Sequence, residues 1–124
     1  MAESPERPEV VFHICSPEAA GELELKGELA PPSLDDEGFV HGSTAEQLMD
    51  TAHLYFTDAT RLVVLCLATA RLGAELRWEV SRDELEFPHV YRALKVSDII
   101  GWRRLSRATT ADRFELDKPL PKSA

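Results

Sequence analysis

The chain has 124 residues, a length that suits one domain with a single hydrophobic core. Apolar residues make up 44% of it and charged residues 29%, and the formal charge is −8 because 22 acidic residues outnumber 14 basic ones. This charge argues against a nucleic-acid-binding protein, which needs clustered cations, but it is compatible with a small phosphate-bearing ligand held by a few local arginines.

The two ends of the chain differ in composition from its middle. Residues 1–8 are acidic and rich in proline, without the basic and apolar regions of a signal peptide, so we expect them to be disordered. We expect residues 9–114 to form a single α+β domain and residues 115–124 to form a loose C-terminal tail. The longest apolar run, LVVLCLA, is too short to span a bilayer, so we predict no membrane segment.

The domain begins with a strand pattern followed by a helix start. VVFHIC at residues 10–15 is β-branched and aromatic, which predicts a strand with His13 on the face opposite Phe12. Ser16 is a favourable N-cap for a helix in the next segment, and Gly21 predicts that this helix is short. The following LAPPSLDDE contains two prolines and predicts a loop.

The segment GFVHGST, residues 38–44, joins a second strand to a second helix. GFVHGS alternates in the manner of a short strand, whereas STAEQLMDTAHLYF carries the clearest helical apolar stripe of the sequence. Either Ser43 with Glu46 or Thr44 with Gln47 would form a capping box at the start of this helix.

Strand patterns follow one another in the second half. LVVLCLA at residues 62–68 predicts a central strand covered on both faces, ATARLGAE predicts a turn, and LRWEV at residues 76–80 alternates with its apolar side chains inward. Pro88 in FPHVYRAL argues for an edge strand or a strand start, and VSDIIGWRRL predicts the last strand. Successive strands without helices between them favour antiparallel pairing, so the predicted fold class is α+β.

Neither the cysteines nor the histidines have the spacing of a metal site. Cys15 and Cys66 lie in apolar strand-like runs, and we interpret both as reduced thiols of a cytoplasmic protein. No H-x-H or H-x-x-x-H pair occurs, so we predict no metal centre. A Cys15 nucleophile with a histidine partner stays open as an alternative, although nothing in the sequence indicates a lowered thiol pKa.

Three of the four histidines lie in strand-like segments. His13, His41 and His89 each have an aromatic residue close by in sequence, and their positions in the strand alternation predict that they converge on one cleft. An imidazole can act there as acid, base or hydrogen-bond donor. Each could instead be a partly buried core residue with one backbone partner. His53, in the second helix, is assigned no function.

Residues beside these histidines complete the candidate site. Gly42, Ser43 and Thr44 place backbone N–H groups at a helix start, an arrangement that favours an anion, although capping alone would explain the two hydroxyl residues. Tyr91 shares a strand face with the last histidine and either lines a ligand slot or seals the core. Glu79, next to a tryptophan within a strand, is the acid best placed for chemistry, unless it belongs to a solvated strand face.

Four segments together resemble a known family. FHICS, GFVHGSTAEQL, ARLGAELRWE and FPHVYRAL occur in this order, and they resemble the bacterial domain-of-unknown-function family 952 over roughly residues 10–105. The resemblance implies a fold similar to that of the ADP-ribosyltransferases, which have a split, mainly antiparallel sheet, two principal helices and a cleft that grips NAD. By that analogy His13 takes the first-strand position and His41 or Ser43 the middle one. Glu79, or the strand containing PHVY, takes the third.

The resemblance implies that the His-lined cleft binds NAD or a related nucleotide, with NAD as a substrate rather than a resident cofactor. Its enzymatic form would be ADP-ribosyl transfer or glycosidic cleavage, in which His13 and Ser43 hold the ribose and nicotinamide. Glu79 would stabilise the oxocarbenium-like centre. The alternatives are a non-enzymatic module for another small ligand, and a small hydrolase with His41 and His89 as acid and base. The arginines predicted to hold a diphosphate are Arg77, Arg92, Arg103 and Arg104.

Overall fold

The computed structural model describes residues 7–124, which contain nine β-strands and four α-helices. The disorder expected for residues 1–6 lies outside the described residues. The strands are β1 (Val10–Cys15), β2 (Glu28–Leu29), β3 (Val40–His41), β4 (Arg61–Ala68), β5 (Leu76–Val80), β6 (Glu86–Val90), β7 (Leu94–Lys95), β8 (Ile99–Ser106) and β9 (Glu115–Leu116). The helices are α1 (Pro17–Lys26), α2 (Pro32–Asp36), α3 (Ala45–Tyr55) and α4 (Thr69–Leu72).

The strands form three antiparallel sheets. A four-stranded sheet has the order β1-β4-β8-β9, a three-stranded sheet has the order β3-β6-β5, and β2 pairs with β7. The two larger sheets meet where Phe12 and Ser43 exchange backbone hydrogen bonds of 2.8 and 2.7 Å. The α+β class with antiparallel pairing and few helices is therefore confirmed. The likeness to ADP-ribosyltransferases stays a prediction.

Strand β1 is buried on both of its faces. Val11 packs in one apolar cluster with Leu23 of α1, whereas Phe12 packs in another with Leu48 of α3. Strand β4, beside β1, divides its side chains between the same two clusters, so the prediction of a central strand covered on both faces is confirmed. This packing places α1 and α3 on opposite faces of the sheet.

The two principal helices begin as the sequence predicts. The Ser16 hydroxyl accepts a hydrogen bond from the Ala19 N–H over 3.1 Å and caps α1. The prediction that Gly21 shortens α1 is wrong, because the helix continues to Lys26 with Ala20 and Leu23 buried against the sheet. The predicted loop after it contains β2 and the single turn of α2.

Thr44, not Ser43, is the N-cap of α3. Its hydroxyl accepts from the Gln47 N–H over 3.2 Å, and the Gln47 side chain accepts from the Thr44 N–H over 3.1 Å. This reciprocal pair is one of the two predicted capping boxes. Ser43 is buried one residue earlier, where its hydroxyl lies 3.4 Å from Thr51 Oγ1.

Strand β6 is the central strand of its sheet, so the prediction of an edge strand from Pro88 is wrong. The Pro88 carbonyl accepts from the Gly42 N–H over 2.9 Å. The N–H and C=O of one strand residue point to the same side of the strand. An N–H group at position 88 would therefore point towards Gly42, so its absence from proline removes no hydrogen bond to β5. The edge strands are β3 and β5, and in β5 Val80, which was expected to face inward, is 66% exposed. The predicted turn ATARLGAE contains α4 and a 3₁₀ turn.

Both described ends of the chain contact the domain. Arg7 makes an ion pair of 2.7 Å with Glu86, although residues 1–8 were expected to be disordered. The segment 115–124, expected to be loose, contributes β9 and packs Leu120 against the core. Strand pairing and apolar side chains hold the segment 115–124 in place. The short, polar sequence of this segment does not predict these contacts. Among residues 7–124, no helix is both long and apolar enough to cross a membrane.

Candidate functional site

A cavity of about 700 Å³ lies where the end of β1 meets β3, β6 and the second half of α3. Its volume is within the range of small-molecule sites. Polar groups from five parts of the chain line it, and they include His13, His41, Ser43, Thr51, Arg82 and His89. The three histidines of the strand segments, which were predicted to converge, all line this cavity. His53 lies elsewhere, where its Nε2 accepts from the Phe114 N–H over 3.2 Å.

His13 lies in β1, and its ring is almost completely enclosed. Its Nδ1 donates to the backbone carbonyl of His41 over 2.7 Å, which leaves Nε2 as the nitrogen that can accept a hydrogen bond from a ligand. The pKa of His13 lies below its ordinary value of 6.5, chiefly because burial disfavours the imidazolium. His13 is thus a neutral acceptor at the cavity wall around pH 7.

His89 is held from behind by a carboxylate. Its Nδ1 donates to Glu79 Oε1 over 2.8 Å, and the Tyr91 hydroxyl donates to the same oxygen over 2.6 Å. Hydrogen bonds from Tyr91 first, and from His89 second, hold the pKa of the Glu79 carboxyl below its ordinary value. Of the site residues expected in the cleft, Glu79 and Tyr91 do not line the cavity. They act on it through the orientation of His89.

His41 has a carboxylate partner of its own. Its Nε2 contacts Glu37, four residues earlier, and Glu37 also lines the cavity. The rings of His41 and His89 lie 5.5 Å apart at an interplanar angle of 84°. Phe39 stacks on His89 at 4.0 Å and meets His41 edge-on at 5.0 Å, so one aromatic ring orients both imidazoles. Neither Glu37 nor Phe39 was predicted as a site residue, although the alternation of GFVHGS puts Phe39 on the same strand face as His41.

The expected anion-binding N–H groups of residues 42–44 are already paired within the protein. Gly42 donates to Pro88, Ser43 donates to Phe12, and Thr44 donates to the Gln47 side chain. Gly42 and Ser43 line the cavity, whereas Thr44 does not. The prediction of an anion site at these N–H groups is therefore wrong, because strand pairing and helix capping use them.

Arg82 is the basic side chain of the site, and sequence analysis did not select it. It lies in a 3₁₀ turn between β5 and β6, where Nη2 donates to Thr51 Oγ1 over 3.2 Å. Its guanidinium carbon lies 5.6 Å from the ring centre of Tyr55 and 5.0 Å from that of Phe87. No periodicity marks Arg82, since the segment SRDELE is polar apart from Leu85.

The four arginines predicted to hold a diphosphate all lie outside the cavity. Arg77 lies over the Tyr91 ring at 4.4 Å, and Arg92 forms two short hydrogen bonds with the buried Asp98. Arg103 donates to the Pro119 carbonyl, and Arg104 is an exposed residue of β8. These arginines stabilise the fold or face solvent instead.

The two cysteines are free and buried. Burial raises the pKa of the Cys15 thiol to about 12 and that of Cys66 to about 11. Cys15 lines the cavity but carries its proton at neutral pH, which argues against a thiolate nucleophile. Within residues 7–124, no group of three or more His, Cys, Asp or Glu side chains is placed to hold a metal ion.

The sequence profile of a family described as a protein of unknown function (DUF952) matches residues 14–102. The chain belongs to the DUF952 family. The match contains His41, Arg82 and His89, and it begins one residue after His13. It confirms the resemblance found in the sequence. No curated protein matches the chain.

Two solved structures show the same fold. The X-ray structure of protein CC0527 from Caulobacter crescentus has a TM-score of 0.77 and 30% identity, covering 86% of this chain and 93% of that chain. The solution NMR structure of CC0527 has a TM-score of 0.72 and 32% identity, covering 86% of this chain and 90% of that chain. This DUF952 chain is therefore similar to CC0527 over nearly the whole length of both proteins.

Proposed function

We propose that this DUF952 protein binds a nucleotide of the NAD class in the histidine-lined cavity. The observation that carries the proposal is the convergence of His13, Ser43 and His89 on one cavity of about 700 Å³. The resemblance to ADP-ribosyltransferases assigns the first two of these residues to the ribose and nicotinamide, and both line the cavity.

The polar groups suit the hydroxyls and amide of such a ligand. His13 offers a hydrogen-bond acceptor at Nε2, because its Nδ1 is committed to a backbone carbonyl. The hydroxyl of Ser43, which donates to Thr51 over 3.4 Å, can accept a hydrogen bond from the ligand. Tyr55, Phe56 and Phe87 add aromatic surface, against which flat heterocycles stack. The site thus combines apolar walls with a few polar groups, as small-molecule sites do.

His89 is the group that would move a proton if the ligand reacts. In ADP-ribosyl transfer, the bond between the ribose C1′ and the nicotinamide nitrogen breaks, and its electron pair stays on the nicotinamide. The acceptor hydroxyl forms the new bond to C1′, and His89 Nε2 takes its proton. Glu79 would keep His89 in the tautomer that this step requires. Glu79 would not stabilise the oxocarbenium-like centre directly, because its carboxylate lies behind the imidazole and outside the cavity.

Thermal unfolding in the presence of NAD or ADP-ribose tests the binding. A ligand that binds only the folded protein raises its melting temperature. His13→Asn should abolish the increase, because asparagine keeps a donor near the position of Nδ1 but has no acceptor at Nε2. His13→Gln, whose amide lies nearer Nε2, should retain part of it. No increase at ligand concentrations of about 1 mM or more, where even weak complexes form, would remove the NAD proposal.

Release of nicotinamide separates an enzyme from a binding module. A transferase or glycohydrolase should release nicotinamide from NAD, and His89→Gln should reduce the rate while leaving the thermal shift in place. Binding without nicotinamide release would favour the non-enzymatic module.

A second candidate function is hydrolysis with His41 and His89 as acid and base. It is favoured by their ring separation of 5.5 Å and by the carboxylate that each of them contacts. An activated phosphodiester should then be cleaved with a bell-shaped pH dependence, and His41→Gln and His89→Gln should each abolish the cleavage. Equal cleavage by either variant would exclude this mechanism.

A further inference from the structure

We propose that Arg82 and Thr51 form an anion subsite in the cavity that takes a phosphate group of the ligand. The proposal deepens the proposed function and rests on it for the identity of the nucleotide. The phosphate chemistry stands on separate observations. Among the residues that the structure describes, Arg82 is the one lysine or arginine that lines the cavity.

One donor of the Arg82 guanidinium, the Nε–H, lacks an acceptor, whereas Nη2 donates to Thr51. The Nε atom is buried and has no hydrogen-bond partner within residues 7–124. Among the side-chain nitrogen and oxygen atoms of these residues, it is the only buried one without a partner. Asp83 Oδ2 lies 3.7 Å from Nε, which is within ion-pair distance but beyond hydrogen-bond distance, and the Asp83 side chain is largely exposed to solvent. Unmade hydrogen bonds of buried donors cost stability, and such groups in native proteins call for an explanation. A phosphate oxygen in the cavity would accept from the guanidinium of Arg82 in the planar geometry that arginine favours.

Thr51 points to the same ligand chemistry through a separate observation. Its Oγ1 lies 3.2 Å from the Arg82 Nη2 donor and 3.4 Å from the Ser43 hydroxyl donor. A threonine hydroxyl has two acceptor lone pairs and one donor. With both lone pairs facing donors, its remaining capacity is to donate. The subsite therefore combines the guanidinium of Arg82 with a Thr51 hydroxyl that can donate, and a phosphate needs only donors.

The position of Arg82 is held at a cost to the backbone. The two residues after it, Asp83 and Glu84, have φ angles of 57° and 58° in the left-handed region that non-glycine residues rarely adopt. The turn is closed by the Ser81 N–H, which donates to the Leu85 carbonyl over 2.9 Å. Backbone strain of this kind concentrates at ligand clamps and active sites. This backbone strain is additional support for the subsite.

The other charged groups at the cavity leave Arg82 as its main cation. Glu37 is engaged by His41, and burial keeps His13 uncharged near pH 7. Glu22, on α1, also lines the cavity and opposes a multiply charged anion. The subsite therefore fits a nucleotide phosphate whose charge one guanidinium can balance locally.

Calorimetric titration with ADP, inorganic pyrophosphate and adenosine tests the subsite. ADP should bind, and Arg82→Met should weaken its binding on the order of 10- to 100-fold, the loss expected for a hydrogen bond to a charged group. Thr51→Val should weaken the binding of ADP by a smaller factor. Adenosine, which has no phosphate, should bind equally to all of these proteins. Arg104→Met, which removes an exposed arginine of β8 outside the cavity, is the matched control and should leave ADP binding unchanged.

The results of these titrations distinguish a failure of the anion subsite from a failure of the NAD proposal. Pyrophosphate or ADP binding that depends on Arg82, without any thermal shift from NAD, would sustain the subsite and remove the NAD proposal. A thermal shift from NAD that is unaltered in Arg82→Met would overturn the subsite and leave the NAD proposal in place. If Arg82→Met fails to fold, Arg82→Lys replaces it, because lysine keeps the charge but has no planar donor fork. Undiminished ADP binding in both Arg82→Lys and Thr51→Val would then overturn the subsite.

Discussion

The Nδ1–H of His89 donates to the Glu79 carboxylate over 2.8 Å, and this bond joins an imidazole inside the cavity to a carboxylate outside it. The same oxygen accepts from Tyr91, so the carboxylate is held from two sides. A carboxylate fixed in this way selects one imidazole tautomer and leaves the other nitrogen, Nε2, for the ligand. The role of Glu79 is therefore to position His89.

Glu79→Gln should loosen this selection. A glutamine amide can accept from Nδ1 or, when rotated, donate to it, so His89 should become a mixture of tautomers. Nitrogen-15 NMR shifts of the His89 ring measure the tautomer populations directly, without any ligand. Tyr91→Phe is the matched control, because it removes one hydrogen bond of Glu79 but keeps the carboxylate, and it should leave the tautomer unchanged. A single unchanged tautomer in Glu79→Gln would show that the carboxylate does not select it.

His13 should make stability depend on pH in the weakly acidic range. Its pKa in the folded protein lies below its ordinary value of 6.5, so the unfolded chain binds the proton more readily. The free energy of unfolding should therefore keep its full His13 contribution above about pH 6.5 and lose it as the pH falls towards the folded pKa. His13→Asn should flatten this part of the profile in urea titrations from about pH 8 to about pH 5. An equal slope in the variant would assign the pH dependence to other groups.

Gly42 should tolerate no side chain. A Cβ atom at Gly42 would lie 2.8 Å from the Pro88 carbonyl oxygen and 3.4 Å from that of Phe12, where backbone atoms leave no room to yield. We expect Gly42→Ala to lower the free energy of unfolding by about 1–3 kcal/mol, as overpacking does. Gly21→Ala is the control, since nothing lies within 4 Å of its Cβ and the residue is inside α1. It should raise stability by about 0.5–1 kcal/mol through helix propensity, and denaturant unfolding measures both.

The two thiols should resist alkylation in the folded protein. Burial raises the pKa of Cys15 to about 12 and that of Cys66 to about 11, so little thiolate is present near neutral pH. Mass spectrometry after iodoacetamide treatment should show no modification under native conditions and two modified thiols in denaturant. Rapid native modification of Cys15, which lines the cavity, would instead restore the hypothesis of a reactive thiol there.

Local chemistry was sufficient to predict most regular elements. Val10–Cys15 is the strand that its β-branched and aromatic composition predicts, and Leu76–Val80 is the strand that its alternation predicts. Thr44 with Gln47 caps α3 as one of the two predicted pairs. These features depend on neighbours within a few residues. Strand alternation also predicted that His13 lies on the face of β1 opposite Phe12, and it does.

The sequence by itself determined the alternation of side chains around His13, His41 and His89, which all reach the cavity. It did not determine that Val80, expected to face inward, is exposed at the edge of its sheet. The tertiary structure decided which distant strands pair. His41 lies opposite His89 in the register of β3 and β6, and Phe12 bridges to Ser43. In those pairings the N–H groups of Gly42 and Ser43 are hydrogen-bonded, and Pro88 lies in a central strand. The tertiary structure also brings Arg82, from a polar connection, to the cavity. Periodicity is a local property of the chain, whereas a ligand site joins residues far apart in sequence, and their meeting depends on the packing of the whole domain.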